Sequence, residues 1–171
     1  MSRLHNIIVS SLDFGSSVLI VATPEHRRQL DSALRDSSPA TRKAMKRRLL
    51  MLDAQETLNM FMVNRHPSDQ RFSQTVGKLI KELKQSAKNE QRGLTVFGEM
   101  VAILWSEGNK LGALELERMW NDALQDRSFH LHCAYPRSIL RDSVGAVTLK
   151  AICDEHSSVI GHANHLRRSV A

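Results

Sequence analysis

The chain has 171 residues, of which 42% are apolar and 25% charged, with a formal net charge of +6. At this length roughly 70% of the unfolded chain's surface can be buried, so a globular domain with its own core is expected and wholesale disorder is excluded. No apolar run approaches the ~20 residues that span a bilayer, and no signal-type apolar region with a small-residue cleavage site follows Met1.

Taken in order, Leu4 to Leu12 is helix-like, and Ser17 to Ala22 is a short apolar, β-branched run that predicts a buried strand. Thr23 as N-cap with Pro24 behind it starts a helix carrying Leu30, Ala33 and Leu34 on one side. Asp36 to Thr41 reads as a loop, and Arg48 to Leu52 as a second strand. Arg42, Lys43, Lys46, Arg47 and Arg48 fall in one ten-residue stretch without an acid. Asp53 and Glu56 resemble a capping box and open a helix from Ala54 to Val63. Ser68 caps a longer helix to about Gln91, with Phe72, Val76, Leu79, Ile80 and Leu83 at helical spacing.

Gly93 to Phe97 predicts a third strand. Gly98 to Gly108 is a nearly all-apolar helix, hence a buried one. Asn109 or Lys110 starts the next helix, which ends near Asp126 and carries the stripe Ala113, Leu116, Met119, Trp120 and Ala123. Ser128 to Tyr135 is a fourth strand, with Phe129, Leu131 and Cys133 alternating against His130 and His132. A last helix is expected over 147–158, within a single domain of residues 1–160, followed by a polar tail at 161–171.

Strands separated by helices predict an α/β fold of three layers, with a mostly parallel sheet covered on both faces. Ligands in such folds bind where the strands end, here near Ala22, Leu52, Phe97 and Cys133 to Tyr135. The usual chemical signatures are missing. There is no phosphate-binding loop, no dinucleotide fingerprint, no nucleophile elbow, no H-E-x-x-H and no C-x-x-C.

Cys153 and His156 share one helix face and with Cys133 would make a soft metal site; packing of a small core thiol and a helix-end histidine is the more ordinary reading. No metal or cofactor is therefore expected. Both cysteines are expected as free thiols in a reducing cytoplasm, although two cysteines can pair. Glu99 either favours a helix N-terminus or aims a carboxylate into the strand-end cleft. Glu117, beside an apolar stripe, needs a partner if buried, and Arg118 lies on another face. Trp105, Trp120 and Tyr135 are core aromatics or walls of an apolar pocket. The basic residues at 42–48 are a solvated face or a nucleic-acid contact, and from Phe97 to Asp126 the charge balance is acidic.

Three ordered blocks carry a resemblance: Phe97-Gly-Glu-Met-Val-Ala-Ile-Leu-Trp-Ser-Glu-Gly-Asn109, Ala113-Leu-Glu-Leu-Glu-Arg-Met-Trp-Asn121 and Leu131-His-Cys-Ala-Tyr-Pro136. Ala22 to Arg27, Leu52 to Leu58 with Phe61-Met62, and Ile152 to Ser157 add to it. From about residue 5 to 160 the chain resembles the MEDS domain, the methanogen/methylotroph sensory domain named for the dichloromethane-responsive repressor. The resemblance implies a RecA/KaiC-like core without a working phosphate loop. It also implies a sensory role beside kinase or transcription-regulator modules, with hydrocarbon derivatives as ligands.

It marks Glu99, Trp105, Glu107, Asn109, Glu117, Trp120, Asn121, Cys133, Tyr135, Cys153 and His156 as motif members and candidate ligand contacts. Relatives begin with a strand that this sequence lacks, so the fold is expected to be truncated at its N-terminus, with an edge or a homodimer contact to explain. The expected function is a non-catalytic, cytoplasmic small-molecule sensor acting through a regulatory partner protein, away from any membrane. The alternatives are a degenerate nucleotide-binding domain and a protein or nucleic-acid interaction scaffold, nucleic acid being the less favoured partner.

Overall fold

A computed structural model describes residues 2–85, 87, 93–124 and 129–135. In chain order these form α1 (Ser2–Asp13), β1 (Ser17–Ala22), α2 (Pro24–Arg35), α3 (Pro39–Arg48), β2 (Leu49–Asp53), α4 (Ala54–Phe61), β3 (Met62–Val63) and β4 (His66–Pro67). There follow α5 (Asp69–Phe72), a π turn (Ser73–Gly77), α6 (Lys78–Gln85), β5 (Leu94–Gly98), α7 (Met100–Ser106), α8 (Lys110–Ala123) and β6 (Phe129–Cys133). The chain divides into two compact units, Met1–Ala134 and Tyr135–Ala171. Only Tyr135 of the second is described, so the helix expected at 147–158 and the boundary expected at 160 lie outside the described residues.

Every residue of β1 is buried, which suits its unbroken apolar run and makes it an inner strand. It pairs in parallel with β2 on one side and β5 on the other; β6 pairs in parallel with β5, so the order is β2-β1-β5-β6. Side chains of β1 alternate between two helical layers. Val18, Ile20 and Ala22 pack with Ile8 and Leu12 of α1 and with Leu30 and Leu34 of α2, and Ala44 and Met45 of α3 flank this cluster. Full burial of each Val, Leu or Ile there stabilises by about 1.5–3 kcal/mol. The opposite layer holds α4 and α6, which meet β1, and α7 and α8, which pack on each other. Phe72 joins its parts edge-to-face, with ring centroids 5.3 Å from Phe61 and 5.1 Å from Trp120. The expected three-layer α/β architecture with a parallel sheet is thus present.

Three local expectations need correction. The segment read as a loop and basic stretch is mostly a helix: Ser38 Oγ accepts the Thr41 N–H at 3.1 Å, and Pro39 occupies the first helical position. Consequently Arg48 ends α3, and the strand begins at Leu49. The helix opened by Asp53 stops at Phe61, where Met62 turns extended and a hairpin follows. Asn64 and Arg65, at its tip, both take positive φ (49° and 69°), as a two-residue type I′ connection requires. The long helix after Ser68 is interrupted by the π turn, where the Lys78 N–H reaches back five residues to the Ser73 carbonyl.

Candidate functional site

The ends of β1, β5 and β6 are covered by the chain's own side chains. Pro24 allows only Thr23 between β1 and α2, so the first turn of α2 sits directly over the sheet edge. Glu99, 6% exposed, follows β5 and turns its carboxylate onto that turn. It accepts the Thr23 N–H at 2.8 Å and pairs with the His26 ring. On the other side Arg27 donates to Asp53 at the end of β2, at 2.9 Å. Two carboxylates, one from each neighbour of β1, thereby take hydrogen-bond partners from adjacent residues of α2. Glu99 is the N-cap residue of α7 yet makes no side-chain cap bond there; its charge instead fills the α2 end, where an anion would otherwise be favoured.

Glu117, 1% exposed, projects from α8 on the other side of the sheet. Cys133, half-buried at the end of β6, donates its thiol to Glu117 Oε2 at 3.5 Å. Burial, then the neighbouring carboxylate charge, then that hydrogen bond push the thiol pKa well above its ordinary value. These two are brought together, while Glu99, one residue past the partner of Cys133 in the ladder, faces the other layer. Next to the pair in sequence, burial followed by the charges of His130 and Arg3 holds His132 below its usual pKa.

Trp105, Glu107 and Asn109 occupy a corner between α7 and α8. Trp105 is half-buried beneath the Lys110 ammonium, 5.6 Å from its ring centroid, and Glu107 is exposed at the end of α7. Asn109 caps α8: its Oδ1 accepts the Gly112 N–H at 3.1 Å while its Nδ2 donates to the Arg65 carbonyl at 2.6 Å. It therefore pins the hairpin tip to the helix start, assisted by His66 against Glu115 at 2.9 Å. Trp120 is buried core, and Asn121 is half-buried on the same helix. Tyr135 belongs to the second unit, and Cys153 and His156 lie outside the described residues. The candidates thus divide among three places. Among the described residues, no group of three or more His, Cys, Asp or Glu is arranged to hold a metal.

The basic stretch is also split by the helix. Thr41, Ala44, Met45 and Arg48 form its inner side: Thr41 Oγ1 donates to Asp13 at 2.8 Å, and Arg48, 5% exposed, donates to the carbonyls of Leu12 and Ser16 at 2.8 Å each. Arg42 donates to the carbonyls of Arg35 and Ser37 at the end of α2. Lys43, Lys46 and Arg47 are exposed, and among the described residues none meets a carboxylate. Arg48 is therefore a structural clamp and does not belong to an interaction patch.

A cleft of about 400 Å³ opens at the end of β2. Leu52 and Asp53 lie at its base, Glu56, Thr57 and Met60 form one wall, and Thr75, Lys78, Leu79 and Glu82 the other. The spacing 53, 56, 57, 60 against 75, 78, 79, 82 sets one helix face opposite another. Sequence reasoning named the Leu52 strand end but missed these helix walls, because their spacing reads as ordinary core.

No helix among the described residues is long and apolar enough to cross a membrane. No curated protein and no solved structure matches the chain. A family model does match, over residues 1–157: MEDS, the MEthanogen/methylotroph, DcmR Sensory domain. Because that match takes in all three groups of candidate residues and nearly the whole sequence, the chain belongs to the MEDS family of sensory domains.

Proposed function

We propose that this chain is a non-catalytic, cytoplasmic sensory domain that binds a small organic molecule, with hydrocarbon derivatives as the first class to test. Its bound state is read by a regulatory partner, a kinase or a transcription regulator. Membership of a sensory family over residues 1–157 carries the reading. The strand ends support it over a nucleotide-binding role: the start of α2, where a phosphate would be stabilised, already holds the Glu99 carboxylate. A triphosphate would have to displace the Glu99 carboxylate from the start of α2 and add charge beside a second carboxylate, Asp53.

Thermal unfolding of the purified chain against a broad library of small organic compounds tests the proposal. At least one compound raises the melting temperature in a concentration-dependent way, and ATP with Mg²⁺ does not. Micromolar binding of ATP, or a library without a single stabilising compound, overturns it.

A further inference from the structure

Resting on the sensory reading, we propose that the cleft between α4 and α6 is a binding site for a small organic cation, its hydrocarbon part between the two helices and its ammonium group at the acidic rim. The cavity lies within the size range of small-molecule sites. Its two wall hydroxyls are already spent on backbone: Thr57 Oγ1 donates to the Asp53 carbonyl at 2.6 Å and Thr75 Oγ1 to the Arg71 carbonyl at 2.7 Å. What the walls offer inward is therefore hydrocarbon, from Leu52, Met60 and Leu79 and the threonine methyls. Met60 is 57% exposed, an unbranched thioether that adapts to whatever covers it.

Charge selects the occupant. The four ionisable side chains lining the cleft are Asp53, Glu56, Glu82 and Lys78. Asp53 is taken by Arg27, and Lys78 stands 3.9 Å from Glu82. Glu56 is exposed on the rim with no ion pair among the described residues. An anion would meet an excess of carboxylates, a neutral molecule would gain only the apolar contact, and a cation gains both.

The π turn points to the same place. It puts one extra residue into the helical path just before Lys78, so the face carrying Lys78, Leu79 and Glu82 is re-aimed relative to α5. Such turns are rare and recur at functional sites. This one contributes Thr75 to the cleft wall.

The test uses the full chain labelled with ¹³C at its methionine methyls, titrated with n-hexylammonium, n-hexanol and hexanoate. The Met60 methyl signal, identified by its loss in Met60→Leu, is expected to move with hexylammonium at a concentration about fivefold lower than with hexanol, the worth of one exposed ion pair. Hexanoate is expected to leave it unmoved. Glu56→Gln brings hexylammonium to the level of hexanol, and Leu79→Arg removes binding. Met60→Arg, at an exposed position, gives the same block if Leu79→Arg fails to fold, read there as loss of the rise in melting temperature that hexylammonium gives the parent.

Equal response to hexylammonium and hexanol overturns the cation assignment. A Met60 methyl untouched by all three probes overturns the cleft, even while library compounds still raise the melting temperature and the sensory reading stands. If no library compound acts either, both readings fall.

Discussion

Replacing Arg48 by alanine removes a guanidinium that holds the α1–β1 turn against α3. It donates to Leu12 O and to Ser16 O, at 2.8 Å each. Hydrogen bonds from a charged donor are worth about 1.5–3 kcal/mol apiece, which would give about 3–6 kcal/mol together. That sum is too high here. Leu12 O keeps a second donor, the Gly15 N–H at 3.0 Å, and the Ser16 bond is only partly buried, so water can replace it. We therefore expect a loss of about 2–3 kcal/mol.

Urea unfolding followed by circular dichroism reads this as a midpoint lowered by about 1 M, with an unchanged slope. Arg48→Lys recovers only part, since one ammonium cannot span both carbonyls as a planar fork does. Lys43→Ala, Lys46→Ala and Arg47→Ala stay within about 0.5 kcal/mol of the parent. An Arg48→Ala protein no less stable than Arg47→Ala would refute the division of this basic stretch into clamp and surface.

Two glycines should respond oppositely to the same change. Gly77→Ala gains about 0.5–1 kcal/mol, because the added methyl meets only ordinary contacts, whereas at Gly112 it would lie 2.6 Å from Asn109 Nδ2 and expel the α8 cap, a loss of about 1 kcal/mol; urea midpoints of the two variants should bracket the parent. Cys133 is expected to resist iodoacetamide at pH 8 in a Cys153→Ser background and to react at an ordinary rate once unfolded, since its thiol ionises only well above the usual range. Rapid native-state labelling would show that burial, together with the Glu117 contact, does not hold the thiol protonated. His132 takes a proton less readily folded than unfolded. The unfolded chain therefore binds more protons just below pH 6.5, and stability falls as pH drops through that value. His132→Gln should lose less stability than the parent between pH 7.5 and 5.5, and an identical loss would assign the acid sensitivity elsewhere.

Much of this was legible from local signals. The apolar run 17–22, the Thr23-Pro24 start and the Asp53 cap each state their structure directly. Helix α3 was hidden because its inner face carries only Ala44 and Met45, with a threonine and an arginine in place of further apolar residues. No hydrophobic period announces such a helix, and the Ser38-Pro39 start was submerged in a polar segment. The π turn was illegible for another reason: Phe72, Val76 and Ile80 keep a four-residue spacing that a regular helix also satisfies. At the site, motif membership grouped Glu99 with Cys133. One residue of register separates them across the sheet, and parity, invisible in the linear order, sends them to different partners.

The strand order also sets a timetable. Ser17 pairs with Leu94, so the second side of β1 stays unpaired until a distant part of the chain has been made. At about 5–20 residues synthesised per second, that interval is on the order of 4–15 s. Throughout it, Ser-Val-Leu-Ile-Val-Ala presents an uncharged, proline-free edge able to stack with its like on a neighbouring nascent chain. Overexpression yield should therefore depend on temperature and chaperone supply more steeply than the stability of the finished protein would suggest.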